Sequence, residues 1–325
     1  MFVSKRKIGK KYYFYLEDKI GGTRIAVSLG RKEQIFGRIE SVFDELIRKT
    51  ALEKVKISQK KFKAGVFSIA EQLALERLKV DYGLLKDFFP QGFESFKEDE
   101  FVRYAQGSAS VEGNSLSLQE AALVLEKGIS IAGKGINEIR EMENMKIAAE
   151  ASKNIKEISE KNIKKIHAAV LKGFDEKNPG EYRTGPMFIT ASKVRPPQAS
   201  EVKKEICRLL EWLEKNRDKI HPVELAAEFH ARFEEIHPFN DGNGRAGREI
   251  LNTMLRTSDY PRAIINLENR QRYVALLERV QINKEYSKFS KFIFLCLEKR
   301  SNEISKILAE NKKTILDKIT KKALK

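Results

Sequence analysis

The chain has 325 residues, of which 41% are hydrophobic and 33% are charged, and its formal net charge is +16 at pH 7. That hydrophobic fraction is enough for a packed core, which excludes a wholly disordered chain. No stretch approaches 18 consecutive apolar residues and no apolar run follows the basic start, so we expect neither a membrane-spanning helix nor a signal peptide. Only two cysteines occur, 89 positions apart, which predicts a reducing, cytoplasmic compartment.

The first elements along the chain are predicted to be short strands. Two runs are rich in aromatic and β-branched residues, residues 11–18 and 24–29, and residues 3–8 are a candidate third strand. Gly21 and Gly22 lie between the two runs, which is typical of a β-hairpin turn. The sequence therefore predicts a small N-terminal hairpin or three-stranded sheet.

From residue 33 onward the apolar spacing is helical almost to the end of the chain. The first helix shows one apolar stripe, formed by Ile35, Ile39, Phe43, Leu46 and Ile47. Further helices are predicted over 68–88, 97–112, 117–127, 136–156, 159–173, 199–217, 222–236, 244–257, 268–281, 285–300 and 301–321. Ser117 with Glu120 three residues later fits a capping box at the start of one of them. The chain is therefore predicted to be mainly α-helical.

Residues 179–198 interrupt the helical pattern. They contain two glycines and four of the eight prolines, so a helix is excluded there. The runs 187–190 and 192–194 are expected to form a short β-hairpin flap. Long irregular segments within helical domains often bind ligands, so this segment is a candidate binding loop.

The positive charge is concentrated at the two ends. Residues 1–65 contain 17 Lys/Arg against 7 Asp/Glu, and residues 297–325 contain 9 against 4. Two interpretations stay open, a contact surface for nucleic acid or another acidic partner, and an ordinary lysine-rich surface. We predict three regions: a basic β-rich module with a connecting helix over 1–65, a helical core over 66–300, and a basic C-terminal helix over 301–325.

The strongest chemical signal lies within residues 225–257. An amphipathic helix ends at His237-Pro238, a loop with two glycines follows, and a second helix begins near Gly244. Backbone N–H groups at such a helix start form an anion site. Arg245 and Arg248 lie three residues apart on one helical face, where an anion such as a polyphosphate would neutralise them.

Two side chains of the same loop have chemistry that suits polyphosphate substrates. Asp241 could hold Mg²⁺ together with phosphate oxygens. His237 has an ordinary pKa near 6.5, which suits a general base.

Two other phosphate-binding motifs are excluded by their context. Residues 242–247 match G-x-G-x-x-G, but the dinucleotide-binding form of that motif follows a β-strand, and here a helix precedes it. The loop also lacks the Gly-Lys-Ser/Thr of a Walker A motif.

Residues 237–248, HPFNDGNGRAGR, resemble the complete Fic motif, HxFx(D/E)GNGRxxR. Upstream, Ser108 to Asn114 resemble the family's inhibitory motif, (S/T)xxxE(G/N), near the end of the predicted helix 97–112. The resemblance covers roughly residues 95–300. It implies a Fic-type helical bundle with a short β-hairpin flap, preceded here by the small N-terminal β module.

Fic proteins typically transfer AMP from ATP to a hydroxyl side chain of a protein and release diphosphate. The resemblance implies that His237 is the catalytic base and that Asp241 binds Mg²⁺. ATP phosphates would be bound by the loop residues Gly242, Asn243, Gly244, Arg245 and Arg248. Two aromatic residues would be structural: Phe239 under the loop and His230 in the core. The flap residues Phe188, Ile189, Thr190 and Val194 would hold an extended target segment.

The inhibitory motif adds a regulatory expectation. The resemblance implies that Glu112, with Ser108, Gly113 and Asn114 around it, pairs with Arg248 and prevents productive ATP binding. In some relatives the same glutamate orients a water that removes AMP from the target, so de-AMPylation stays open. A phosphorylating branch of the family tends to replace the first loop glycine and lose the last arginine. Gly242 and Arg248 are both present here, which favours AMP transfer.

Two alternatives to an adenylyltransferase are kept. The protein could be a nucleic-acid-binding regulator, with the basic N-terminal module as its working part and the Fic core as a nucleotide sensor. It could also be a scaffold with a degenerate site, although every motif residue is intact. The partners expected are ATP and a target protein, which can be the chain itself. Dimers are frequent in the family, and the sequence leaves the oligomeric state open.

Overall fold

The computed structural model describes residues 1–63, 65–188 and 194–324, with side chains up to residue 321. Its contacts divide the chain into two compact units, one formed by residues 1–93 and 298–325 and the other by residues 94–297. The predicted domain boundaries, at residues 65 and 300, do not coincide with the boundaries between these two units. The assignment of domains stays a prediction. No helix in the described ranges is long and apolar enough to cross a membrane.

The first unit begins with an antiparallel three-stranded sheet in the order β1-β2-β3. The strands are β1 (Phe2–Ile8), β2 (Lys11–Ile20) and β3 (Thr23–Gly30). Gly21 and Gly22 both have positive φ angles, as a tight turn between β2 and β3 requires. The predicted hairpin and its third strand are confirmed.

Helix α1 (Ile35–Lys61) contacts β2 and β3. All five residues of the predicted apolar stripe are buried, from Ile35 to Ile47. On the strands, the buried side chains are those of Phe14, Leu16, Ile25, Val27 and Leu29. Because side chains alternate along a strand, one face of the sheet packs into this core and the other faces away.

The remaining helices follow in chain order. They are α2 (Ile69–Phe88), α3 (Pro90–Val111), α4 (Leu118–Lys127), α5 (Ile136–Ser152), α6 (Glu160–Val170), α7 (Val202–Asn216), α8 (Pro222–Ile236), α9 (Asn243–Arg256), α10 (Arg270–Asn283), α11 (Ser287–Glu310) and α12 (Lys312–Leu324). The predicted mainly helical fold is confirmed. At the start of α4, Ser117 and Glu120 bond to each other's backbone N–H, so the predicted capping box is confirmed.

Two predicted helix boundaries are wrong. Helix α3 begins at Pro90, seven residues before the predicted start, because proline suits the first turn of a helix. Helix α11 runs through residue 300, where a break was predicted, and Arg300 pairs with Glu303 on the continuing helix. The break lies instead at Asn311, between α11 and α12.

Helices α8 and α9 form the centre of the second unit. Helix α9 is almost entirely buried and contacts α5, α6 and α8. The loop between α8 and α9 is the predicted motif loop, so its backbone is held by two buried helices. Residues 181–188 and 194–198, the described part of the predicted flap segment, contain no helix or strand. The remaining flap residues, including Ile189 and Thr190, lie outside the described part of the chain.

Candidate active site

The motif loop begins where α8 ends. His237 follows the last helical residue and has a left-handed backbone conformation, with φ of 47°. Gly242 also has a positive φ, 72°, and directly precedes α9. Asn243 closes the loop, because its side chain accepts from the N–H of Phe239 at 3.0 Å and donates to the Phe239 carbonyl at 2.9 Å. The two turns bring His237 back toward the N-terminus of α9.

Phe239 is fully buried beneath the loop. The ring of His167, on α6, stacks on it with centroids 3.6 Å apart and planes 4° from parallel. Nδ1 of His167 accepts from the Gly180 N–H at 2.9 Å, so the other ring nitrogen, Nε2, is the donor to the Asp241 carbonyl at 2.8 Å. Burial lowers the pKa of His167 to about 4, which keeps this neutral tautomer at pH 7.

Arg183 is a second support of the loop that sequence reasoning missed. This guanidinium is buried and donates to backbone carbonyls at the C-terminal end of α8, including that of His237 at 2.9 Å. It also donates to the carbonyls of Gly185 and Pro197, on either side of the flap. A cation at this helix end satisfies carbonyls that have no helical partner. Arg183 therefore ties the flap to the backbone of the candidate base.

The His237 ring lies close to the end of α8. Its Nδ1 is 3.4 Å from the Glu234 carbonyl and 4.0 Å from the Glu234 carboxylate. Burial lowers the pKa of His237 more than the carbonyl and nearby Glu112 raise it, so the ring is neutral at pH 7. With Nδ1 directed toward the helix end, Nε2 is the nitrogen left to accept a proton.

Glu234 is a buried carboxyl beneath the same loop. Burial raises its pKa to about 8, against the opposing effect of Arg248. Its Oε1 has no hydrogen-bond partner among the described residues. A Cβ on Gly247 would come within 2.4 Å of that oxygen, so a side chain at Gly247 would collide with Glu234. Sequence reasoning missed Glu234, although it lies three residues before His237 on the same helix.

The two motif arginines are buried and pair with different carboxylates. Arg248 is 1% exposed, and its Nη2 lies 2.8 Å from Oε1 of Glu112. Arg245 is 3% exposed, and its guanidinium lies 3.0 Å from Glu141 and 3.5 Å from Asp241. Nε of Arg245 is buried and makes no hydrogen bond to the described residues.

Ser108 and Glu112 lie on one face at the end of α3, as their spacing predicts. The Ser108 hydroxyl and carbonyl accept from Nε and Nη2 of Arg248, both at 2.9 Å. Burial raises the pKa of Glu112, but the charge and hydrogen bond of Arg248 outweigh it, so the net pKa is lowered and Glu112 is ionised.

The Glu112 carboxylate also lies directly against the motif loop. A Cβ on Gly244 would lie 2.1 Å from Oε1 of Glu112, so a side chain here would displace this carboxylate. Gly113 turns the chain with φ of 105°, and Asn114 donates to the Glu138 carbonyl at 2.9 Å. The structure therefore brings the predicted inhibitory segment and the motif loop together.

Asp241 lies at the outer side of the loop, with 40% of its side chain exposed. Its Oδ2 is 2.5 Å from the ammonium of Lys177, another residue that sequence reasoning missed. Burial raises the pKa of Asp241, but the hydrogen bond from Lys177 and the charge of Arg245 lower it further, so the carboxylate is ionised.

The described ranges contain no cluster of three or more His, Cys, Asp or Glu side chains that could hold a metal ion. A single accessible carboxylate fits a Mg²⁺ that arrives with a nucleotide, because this ion takes one or two carboxylates plus phosphate oxygens.

His230 and the flap residues complete the set of sequence predictions. His230 is fully buried and lies 2.8 Å from the Tyr273 hydroxyl, within a cluster of aromatic rings. Phe188 is 70% exposed, whereas Val194 is buried. The guanidinium of Arg195 lies 5.9 Å from the Phe188 ring, so the two ends of the flap approach each other.

Residues 157–255 match the Fic/DOC family model. A protein adenylyltransferase Fic from Drosophila persimilis is 32% identical over 208 residues, which are 62% of this chain and 40% of that protein. One from Culex quinquefasciatus is 29% identical over 245 residues, which are 73% of this chain and 48% of that protein. This chain therefore spans less than half the length of these relatives.

Solved structures show the same fold. A Fic-domain-containing signaling protein from Bacteroides thetaiotaomicron superposes with a TM-score of 0.66 at 22% identity, over 71% of this chain and 95% of that one. Fic-1 from C. elegans superposes with a TM-score of 0.58 at 22% identity, over 86% and 94%. The chain thus shares the fold of these solved Fic proteins, and the match to the Fic/DOC family model lies within its second unit.

Proposed function

We propose that this protein is an adenylyltransferase that transfers AMP from ATP to a hydroxyl side chain of a target protein or of itself. The observation that carries the proposal is the Asn243-closed loop, which gathers a neutral histidine, a carboxylate and two buried arginines at one helix N-terminus. The curated relatives named protein adenylyltransferase support it.

The chemical step would use His237 as general base. Nε2 would take the proton of the attacking hydroxyl, whose oxygen forms a bond to the α-phosphorus of ATP. The bond between that phosphorus and the bridging oxygen breaks, and diphosphate leaves with its electron pair. The lowered pKa of His237 supports this role, because a base must be unprotonated to accept.

The phosphates would be held by Arg245, Arg248 and the backbone N–H groups at the start of α9. The unpartnered Nε of Arg245 is a buried donor that a phosphate oxygen would satisfy. Asp241 would hold Mg²⁺, which when bound neutralises phosphate charge. The ion pair of Asp241 with Lys177 supports an ionised carboxylate at this position.

Glu112 would keep the enzyme inactive by occupying Arg248. While the carboxylate lies 2.8 Å from Nη2, that guanidinium cannot also orient the γ-phosphate. A charge-assisted pair contributes about 1.5–3 kcal/mol, equivalent to about 10–150-fold in rate if fully expressed in the barrier. Because Ser108 and Glu112 precede the Fic loop in the same chain, the inhibition would be intramolecular.

The test is a transfer assay with host lysate and ATP labelled on the α-phosphate, in Mg²⁺, using Glu112→Gly, the double variant Glu112→Gly with His237→Ala, and wild type. Glu126→Gly serves as the matched control, because Glu126 is an exposed glutamate near the end of α4. We expect a labelled protein band with Glu112→Gly alone, about 10–150-fold stronger than with wild type or Glu126→Gly.

Three results would contradict the proposal in different ways. Equal labelling by wild type and Glu112→Gly would contradict the inhibitory role of Glu112 but still support AMP transfer. ATP binding with no labelled band in any variant would contradict AMP transfer as the function and favour a nucleotide sensor. Labelling only from ATP that carries its label on the γ-phosphate would identify a kinase instead.

A further inference from the structure

The outward face of the N-terminal sheet carries a group of cations that the proposed transfer reaction does not use. Register places Arg6 opposite Tyr13, Tyr15 opposite Ser28, and Lys19 opposite Arg24, so these residues share a face. Lys11 belongs to the same face. The face is formed by Phe2, Ser4, Arg6, Ile8, Lys11, Tyr13, Tyr15, Glu17, Lys19, Arg24, Ala26 and Ser28, and we call it the basic sheet face.

A buried carboxylate organises this face. Glu17 has no exposed surface, and its two oxygens pair with Arg6 at 2.6 Å and with Arg24. The Ser4 hydroxyl also donates to it. Burial raises the pKa of Glu17, but the hydrogen bonds from Arg24, Ser4 and Arg6 outweigh this and lower it, so Glu17 is ionised. One anion therefore fixes two arginines, whose side chains stay 41% and 47% exposed.

Cationic side chains lie over two aromatic rings of the N-terminal sheet. The guanidinium of Arg6 lies 4.3 Å from the Tyr15 ring centre, and the Lys5 ammonium lies 4.2 Å from that of Tyr12. Single-stranded nucleic acids bind by stacking bases on open aromatic faces. On the basic sheet face Arg6 lies over the Tyr15 ring, which leaves that ring less open to a stacking base.

We propose that the basic sheet face binds double-stranded DNA. This face carries four cations, from Arg6, Lys11, Lys19 and Arg24, and one carboxylate, that of Glu17. The hydroxyls of Ser4, Ser28, Tyr13 and Tyr15 add hydrogen-bonding groups for phosphate oxygens. Strands in a sheet lie about 4.8 Å apart, so a strand pair fits a major groove about 12 Å wide. Residues 1–32 contain 9 Lys/Arg and 2 Asp/Glu, which supplies the charge complementarity.

The experiment measures binding of a fluorescent 20-base-pair duplex to the full-length chain by anisotropy, from about 50 to 300 mM salt. The test variant is Lys11→Ala with Lys19→Ala, because both lysines are exposed and neither pairs with Glu17. The matched control is Lys161→Ala with Lys203→Ala, two exposed lysines on α6 and α7 with the same change of charge.

We expect wild type and control to bind alike, with a slope of log K against log salt near −3, whereas the test variant loses about two units of that slope. No binding by wild type at 50 mM salt would overturn the proposal, and so would equal losses in test and control variants. Polyglutamate competing as well as unlabelled duplex would also overturn it, in favour of an acidic protein partner. None of these outcomes depends on AMP transfer.

Discussion

Two regions of this protein pair arginines with carboxylates, and they do so in opposite arrangements. In the motif loop the arginine is buried, with Arg248 at 1% exposure, and its partner Glu112 is 42% exposed. On the basic sheet face Glu17 is buried, and its partners Arg6 and Arg24 are 41% and 47% exposed. The partially exposed member of each pair is the one that a ligand can replace or contact. The loop is therefore suited to exchanging its anion for a phosphate, and the sheet to presenting its cations.

The largest effect is expected from removing the general base of the loop. In the Glu112→Gly background, His237→Ala should lower AMP transfer by about 10²–10⁴-fold, because general-base catalysis contributes about that much. Initial rates of α-label incorporation measure the change. Equilibrium binding of ATP should stay within about threefold of the parent. A His237→Ala enzyme that keeps its rate would exclude this residue as the base.

The salt dependence of duplex binding and of AMP transfer should also distinguish the two regions. Raising salt from about 50 to 300 mM should weaken duplex binding by the sheet about 100-fold, since roughly three phosphate contacts release counterions. The buried Arg248 is much less screened. The ratio of Glu112→Gly to wild-type transfer should therefore change less than about twofold over the same range. A ratio that falls with salt as steeply as duplex binding would contradict the contrast between the regions.

A smaller change in activity should show how much of the inhibition depends on the negative charge of Glu112. Glu112→Gln keeps the size of the side chain and the capacity to accept from Arg248, but it loses the negative charge. A neutral hydrogen bond contributes about 1 kcal/mol less than a charge-assisted one, so transfer should rise about fivefold above wild type. Activity equal to that of Glu112→Gly would mean that charge carries the whole effect.

A change in stability, not in activity, is expected from the buried carboxyl beneath the loop. Glu234 has a pKa of about 8 in the folded state, against 4.5 as its ordinary value. Between these values the folded state holds a proton that the unfolded state has lost, so stability falls as pH rises. From pH 6.5 to 8 the contribution of Glu234 to the free energy of unfolding should fall by up to about 2 kcal/mol.

Denaturant titrations at pH 6.5, 7.25 and 8 test this by comparing wild type with Glu234→Gln, which should lack the Glu234 contribution. The lowered pKa values of His167, His230 and His237 make stability rise with pH near 6.5 in both proteins, so the difference between the two proteins isolates Glu234. Glu235→Gln is the control, because the neighbouring carboxylate is half-buried and paired with Lys284. A decline that is equal in Glu234→Gln and wild type would assign the titration to another group.

Much of the fold follows from residues close together in sequence. The turn at Gly21-Gly22, the stripe on α1 and the capping box of Ser117 each depend on spacings of a few residues, and the structure confirms them. The break wrongly predicted at residue 300 shows the limit of such rules. Nothing between 300 and 310 interrupts helical spacing, and a charged stretch in a long helix looks locally like a junction between two helices.

The sequence by itself determined the motif loop, because the positive φ of Gly242 and the hydrogen bonds of Asn243 to Phe239 are local features within six residues of His237. It also provided both members of the inhibitory pair. Only the tertiary structure decided that they meet, since Glu112 and Arg248 are separated by 136 positions.

Tertiary packing alone also revealed the His167 stack beneath Phe239, the Arg183 tie to the flap and the buried Glu234. The physical reason is the range of the forces involved. Backbone propensity and capping act over one helical turn, whereas burial and ion pairing depend on which distant segments the core brings together.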